Sequence, residues 1–94
     1  MYKKIKELLG QDHPETLLTM GNLANTYQNQ GRWRHAEVLE VKVMERRKEL
    51  LGEDHPDTLK SMGNLAGTYW DQGRLKDAEV LEVAVMEKRA LGTN

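Results

Sequence analysis

The chain has 94 residues, which is the length of one small domain without room for a large enclosed active-site cavity. It contains 14 basic residues, 15 acidic residues and no cysteine. The balanced charge argues against a nucleic-acid partner, since such domains usually carry an excess of Lys and Arg, and the lack of cysteine excludes disulfides and thiolate metal sites. No apolar run approaches the roughly 20 residues of a membrane span, so we expect a soluble, cytoplasmic protein with no membrane partner.

An internal repeat dominates the chain. Residues 6–47 align with residues 48–89, and about 30 of the 42 aligned positions are identical. Repeats of this length are typical of solenoids and propellers, and helical periodicity without alternating β-branched runs excludes the propeller. We therefore predict an all-α fold in a single domain, residues 1–94, made of a half-helix (1–9), a first repeat (10–51) and a second repeat (52–94).

The first segment, residues 1–9, is predicted to be the latter half of a helix. Its sequence KIKELLG, residues 4–10, matches RRKELLG, residues 46–52, so the chain begins partway through a repeat. After Arg89 the chain reads ALGTN and lacks the Asp-His-Pro that would start another helix. Two interpretations of the chain stay open at this point: it is a segment of a longer array, or it is a minimal array.

The first helix of each repeat is predicted to start at a His-Pro pair, His13-Pro14 and His55-Pro56. Proline suits the first helical position because its missing N–H would lack a partner there. We interpret both histidines as caps or braces of the joints between helices. They lie about one repeat apart, whereas the ligands of one zinc ion lie within roughly 2.1 Å of it, so no metal site is expected.

Each first helix carries one apolar stripe and ends at a glycine. Residues at spacings of three and four form the stripe: Leu17, Met20, Leu23, Ala24 and Tyr27 in the first copy, and Leu59, Met62, Leu65, Ala66 and Tyr69 in the second. Gly31 and Gly73, each in the sequence QGR, can take the left-handed conformation of a helix C-terminal cap.

The second helices are predicted from about Trp33 to Leu51 and over residues 75–91. Apolar residues of the first of them cover more than one face, so we expect neighbours on two sides. Its equivalent in the second copy keeps the same apolar residues. The sequence LGEDHPDTL, residues 51–59, repeats LGQDHPETL, residues 9–17, because two equivalent helix pairs need equivalent joints.

These residues resemble the tetratricopeptide repeat: Ala24 and Ala66 preceded by leucine, a tyrosine three residues later, a turn glycine, and an alanine early in the second helix. The joint L-G-x-D-H-P-x-T-L resembles more specifically the 42-residue variant found in kinesin light chain and in fungal and cyanobacterial NLR-like proteins. The resemblance covers essentially the whole chain. It implies a short right-handed solenoid of αα-hairpins and a scaffold that binds a protein or peptide.

The resemblance also implies a concave groove lined by the first helices, where kinesin light chain uses asparagines to hold an extended peptide. Asn22 and Asn64 occupy matching positions, whereas Gly67 stands where the first copy has Asn25. The groove candidates are Asn22, Asn25, Gln28, Asn29, Lys60, Asn64, Trp70 and Asp71, with Leu18 on the same surface. Two alternatives stay open: Asn22 and Asn64 could brace neighbouring helices, and Trp70 could pack across repeats.

The chain shows no catalytic pattern and no cofactor motif. No nucleophile beside a base, phosphate-binding loop or paired-carboxylate arrangement is present. The acidic residues before the second His-Pro pair suit a helix start, where negative charge favours the helix dipole. We therefore predict that the protein is not an enzyme and binds no cofactor.

A second functional class is self-association. Repeats bury their faces only against neighbours, and natural arrays end in polar caps. The last helix keeps apolar residues that no following repeat covers, so the isolated chain is expected to form a homo-oligomer by pairing its ends or exchanging helices. The candidate residues for this contact are Tyr2, Ile5, Val83, Val85 and Met86.

Overall fold

The computed structural model describes residues 13–92, which form four helices. They are α1 (Pro14–Asn29), α2 (Trp33–Leu51), α3 (Pro56–Asp71) and α4 (Leu75–Gly92). The described residues contain no strand, and the prediction of an all-α fold is confirmed. The predicted half-helix, with Tyr2 and Ile5, lies outside the described residues. None of the four helices is long and apolar enough to cross a membrane.

Histidine side chains cap the starts of α1 and α3. Nδ1 of His13 accepts a hydrogen bond from the backbone N–H of Glu15, and Nδ1 of His55 accepts one from Asp57, both at 3.1 Å. Each bond satisfies one of the N–H groups that a helix start leaves without a partner. The interpretation of both histidines as joint caps is therefore confirmed.

Glycine ends α1 and α3, as predicted. Gly31 and Gly73 both have a φ of 77°, a backbone conformation that residues other than glycine rarely adopt. The backbone N–H of Arg32 returns to the carbonyl of Tyr27, and that of Arg74 to Tyr69, each at 2.8 Å. This pattern satisfies carbonyls at the helix ends and turns the chain sharply into the next helix.

The helices pack in chain order. α2 lies between α1 and α3, and α3 lies between α2 and α4. One core cluster joins α1 to α2 and is formed by Leu17, Met20, Ala24, Ala36, Leu39 and Val43. A second cluster contains Leu59, Met62 and Val85, and Met44 of α2 packs against it. The expectation that α2 has neighbours on two sides is confirmed.

The structure corrects one residue of the predicted self-association surface. Val85 is buried, because it packs with Leu59 and Met62 in the core between α3 and α4. Val83 and Met86 lie on the outer side of α4 and remain 40% and 64% exposed. Their equivalents in α2, Val41 and Met44, are half-buried.

Candidate functional site

A polar stripe runs along the exposed side of α1 and matches a stripe on α3. The side chains recur at spacings of four, three and four residues, which places them on one side of each helix. We call the two stripes together the groove face: Leu18, Asn22, Asn25 and Asn29 on α1, and Lys60, Asn64, Gly67 and Asp71 on α3. All eight residues are exposed or half-buried.

The two stripes are neighbours near the ends of α1 and α3. Nε2 of Gln28 donates to Oδ2 of Asp71 at 3.1 Å, which bridges the two helices. A Cβ added at Gly67 would lie 3.5 Å from the same Gln28 nitrogen, an ordinary van der Waals distance. The structure therefore brings two of the predicted groove candidates, Gln28 and Asp71, together, with Gly67 beside them.

Three asparagine side chains of the groove face form no internal hydrogen bond in the part of the chain that the structure describes. Within residues 13–92, no protein group forms a hydrogen bond with the side-chain amide of Asn22, Asn25 or Asn64. The Thr26 hydroxyl donates to the backbone carbonyl of Asn22 and leaves its amide without a partner in this range. The alternative that Asn22 and Asn64 brace neighbouring helices thus has no hydrogen bond to support it in this part of the chain. An amide offers two donors and an acceptor, which suit the N–H and C=O groups of an extended peptide.

Trp70 points towards α4 rather than along the groove stripe. Its indole N–H donates to Glu82, and it lines an open cavity at the last helix. Because Trp70 is exposed and bonded to the neighbouring helix, its main contact is with the end of the array. Its participation in peptide binding stays a prediction.

A polar network holds the two repeats together at the contact between α2 and α3. Glu37 accepts hydrogen bonds from Gln72 and from Arg74, each at 3.0 Å. Further along α2, Arg47 donates to the hydroxyl of Ser61 at 2.8 Å. These contacts fix how the second hairpin sits on the first, and so how the two stripes of the groove face are aligned.

Glu40 lies at the centre of this interface and was not singled out from the sequence. Only 4% of it is exposed, Thr68 donates to one carboxylate oxygen, and the other oxygen has no partner among the described residues. Burial raises the pKa of Glu40 to about 7, with nearby Asp71 and Glu37 adding to the rise and the Thr68 hydrogen bond opposing it. Desolvation disfavours the charged form of a carboxyl group, which explains the direction.

Within residues 13–92 no three His, Cys, Asp or Glu side chains are grouped so that they could hold a metal ion. His13 and His55 already use Nδ1 as caps. The groove face presents asparagine amides, Lys60, Asp71 and the exposed Leu18, which act through hydrogen bonding, charge and apolar contact.

Two repeated helical hairpins, capped alike and packed in chain order, define a short helical-repeat scaffold. Two family models, both described as tetratricopeptide repeat, match residues 16–57 and residues 41–86. The chain belongs to the tetratricopeptide repeat family, and the resemblance inferred from the sequence is confirmed. Repeats of this family generally mediate protein–protein interaction and are typically non-enzymatic scaffolds. No curated protein matches the chain.

Proposed function

We propose that the groove face binds an extended segment of a partner protein. The observation that carries this proposal is that Asn22 and Asn64, at the same position of the two repeats, form no side-chain hydrogen bond within the described residues. Equivalent helices present these two amides in the same way. An extended backbone repeats its N–H and C=O groups along its length, so two such amides can hold it at two points.

The charges of the groove face indicate a partner segment without a strong net charge. Lys60 and Asp71 lie on the same stripe of α3, and Leu18 is exposed at the matching position on α1. Opposite charges at the two ends of one stripe favour neither sign of ligand. Recognition would then depend on the peptide backbone, with one apolar side chain near Leu18.

Selection of short peptides from a displayed library on the full chain, followed by affinity measurement, tests the proposal. Each amide hydrogen bond contributes about 0.5 to 1.5 kcal/mol net, so changing both Asn22 and Asn64 to Ala should weaken the selected peptide about tenfold. Lys42→Ala, on the exposed side of α2, is the matched control and should leave the affinity unchanged. If the double variant keeps its helicity and binds the peptide as tightly as the wild type, the two asparagines are not part of the binding site.

A second candidate function is association of the chain with itself. The observation that favours it is the exposure of Val83 and Met86 on the outer side of α4, beside an open cavity. Burying apolar side chains of this size is the main favourable term in most protein association. Sedimentation equilibrium of the full chain tests it: mass should rise with concentration, and a monomer throughout would exclude this function.

A further inference from the structure

We infer that a cavity between the turns of the two hairpins binds an acidic segment of a partner protein, with one apolar side chain of that segment inside it. The cavity has a volume of about 780 Å³. We call it the turn cavity, and its main lining residues are Arg32, Trp33, Arg34, Val38, Gln72 and Arg74. None of them belongs to the groove face, so this site is separate from the one proposed above.

Both hairpins form the walls of the turn cavity. One wall is the turn after α1 with the start of α2, and the other is the turn between α3 and α4. Glu37 joins the two walls, because it accepts hydrogen bonds from Gln72 and Arg74, each at 3.0 Å. The shape of the cavity is therefore held by contacts on both sides, all of them within the described part of the chain.

Two apolar side chains in the turn cavity are open to solvent. Trp33 is 38% exposed and Val38 is 57% exposed. Single exposed apolar residues are common on protein surfaces, but these two line the same cavity. Tryptophan is also among the residues that contribute most to binding when a partner buries them. The pair therefore offers an apolar contact for one side chain of a ligand.

The turn cavity carries a local excess of positive charge. Its lining contains three arginines and one acidic residue, Glu37, which already pairs with Arg74 at 3.0 Å. Arg74 also pairs with Asp77, at 2.9 Å. Within residues 13–92, no carboxylate pairs with Arg32 or Arg34. The whole chain has a net charge of -1, so these two unpaired cations belong to this surface and not to the protein in general.

Arg34 and Val38 together define the chemistry of the ligand. They lie four residues apart on α2, which places them next to each other on one side of the helix. A guanidinium binds a carboxylate through two parallel hydrogen bonds, a geometry that favours Asp or Glu as its partner. A peptide with an acidic residue close to an apolar one therefore matches both contacts. A nucleic acid fits less well, because its affinity comes from contacts with many phosphates.

The second repeat supplies matched control positions. Lys76 and Val80 stand 42 residues after Arg34 and Val38, at the same place on the equivalent helix. Both are exposed, and neither lines the turn cavity. The same substitution at the two members of a pair therefore separates an effect of the cavity from a general effect of charge.

Selection from a displayed library of random short peptides tests the inference. Library members that bind the double variant Arg34→Glu, Val38→Asp are removed first, and the remainder are selected on the full wild-type chain. Enriched peptides should carry Asp or Glu close to an apolar residue. Failure to enrich any peptide, or enrichment of peptides without acidic residues, overturns the inference.

The affinity of an enriched peptide, measured by fluorescence anisotropy, gives the size of the effect. Arg34→Glu should weaken binding by at least about tenfold, because it sets like charges against each other. Higher salt should also weaken binding, since exposed charges are screened. Lys76→Glu should leave the affinity unchanged. Equal losses in the two variants would mean a general attraction to charge, which contradicts the assignment of the cavity.

Val38→Asp and Val80→Asp test the apolar contact in the same way. The first should weaken binding of the peptide and the second should not, with circular dichroism confirming that both variants are helical. If Val38→Asp binds the peptide as tightly as the wild type does, the predicted apolar contact is wrong.

The two tryptophans of the chain report where the peptide binds. Trp33 lines the turn cavity, whereas Trp70 bonds Glu82 of α4. In an NMR titration the indole N–H signal of Trp33, assigned with Trp33→Phe, should shift when the peptide is added. The Trp70 signal should stay in place. A shift of the Trp70 signal alone would put the peptide outside the turn cavity and overturn the inference.

Variants of the groove face keep the turn cavity distinct from the groove. The chain with Asn22→Ala and Asn64→Ala should bind the acidic peptide as the wild type does. Loss of binding in that chain, with affinity retained in Arg34→Glu, would place the acidic peptide on the groove face and overturn the inference while leaving the proposed function intact. Tighter binding of single-stranded DNA than of any enriched peptide, lost in Arg34→Glu, would overturn it too, because the cavity would then take phosphates.

Discussion

Glu40 and Glu82 occupy the same position of the two repeats and have different surroundings. Glu40 is buried under the second hairpin and accepts from Thr68, whereas Glu82 is exposed and accepts from the neighbouring Trp70. The two side chains are chemically identical: the following repeat buries Glu40, and Trp70, which stands where the first copy has Gln28, bonds Glu82. In a helical-repeat protein the properties of a residue depend on its place in the stack as much as on its position in the repeat.

The same contrast holds on the first helices. Leu65 is 2% exposed because α2 and α4 flank α3, while Leu23 of α1 is half-buried. Thr68 is fully buried and Thr26 is exposed. Paired substitutions at equivalent positions therefore measure what a neighbouring repeat contributes, with the chemistry of the change held constant.

The largest difference is expected for leucine truncation. Leu65→Ala should lower the free energy of unfolding by about 2 to 5 kcal/mol, because it removes a buried side chain and leaves a cavity. Leu23→Ala should cost clearly less, since its side chain is only half-buried. Urea unfolding followed by circular dichroism measures both, and equal losses would mean that packing of α2 on α3 gives Leu65 no added protection.

The pH dependence of stability should separate the two glutamates. The folded pKa of Glu40 is raised from 4.5 to about 7, so the folded state binds the proton more tightly than the unfolded chain. Its contribution to stability is therefore present below pH 4.5 and is lost as the pH rises to about 7. Glu40→Gln stays neutral and should stabilise the protein above pH 7 by roughly 1 to 3 kcal/mol.

Glu82→Gln is the control for this measurement, because Glu82 is exposed at the equivalent position. Thermal unfolding across the acid-to-neutral range should show a pH-dependent gain for the Glu40 variant and almost none for the Glu82 variant. If the gain at Glu40 were the same on both sides of the window between pH 4.5 and 7, its cause would be packing rather than charge.

Removal of the histidine caps should have a smaller and more equal effect. His13→Ala and His55→Ala each remove one acceptor from a helix start, and the loss of a cap typically costs about 0.5 to 2 kcal/mol. Both caps bond within their own helix start, so neighbouring repeats matter little here. A large loss at His55 alone, measured by urea unfolding, would show that the joint between repeats also depends on its ring.

The smallest effects should come from the glycines within the first helices. A Cβ added at Gly21 or at Gly63 meets nothing within 4 Å. Replacing either with Ala should therefore stabilise the protein by about 0.5 to 1 kcal/mol, through the lower entropy of the unfolded chain. Similar gains in melting temperature are expected at both sites, and a loss at either would mean that an unrecognised neighbour needs the space.

Local sequence signals predicted the helices because their causes are local. Proline, histidine and glycine act within a few residues of the positions that they cap, so α1 and α3 begin at the predicted His-Pro pairs, and both end just before the predicted glycines. The spacing of apolar residues likewise predicted that α2 has two neighbours. These features need no knowledge of distant residues.

The environments of Glu40, Trp70 and Val85 could not be predicted because they depend on contacts between helices. In the sequence, Glu40 is one of several charged residues on α2. Its burial depends on the packing of α3, from which Thr68 donates a hydrogen bond to it. Trp70 bonds Glu82 of α4, and Val85 is covered by α3. The repeat offered one signal of these differences, because Gln28 and Trp70 occupy equivalent positions but are different residues. In the structure, Gln28 bonds Asp71 of the next repeat and Trp70 bonds Glu82 of its own repeat.

The single-file packing of the helices also sets the order in which the molecule should open. Among the described helices, α4 packs mainly against α3 and its Lys88 pairs with Glu53 and Asp54 of the preceding joint, whereas α2 packs against both α1 and α3. Local opening therefore requires less free energy at α4 than at α2, as in other arrays held by nearest-neighbour contacts. Backbone amides of α4 should therefore exchange with deuterium before those of α2.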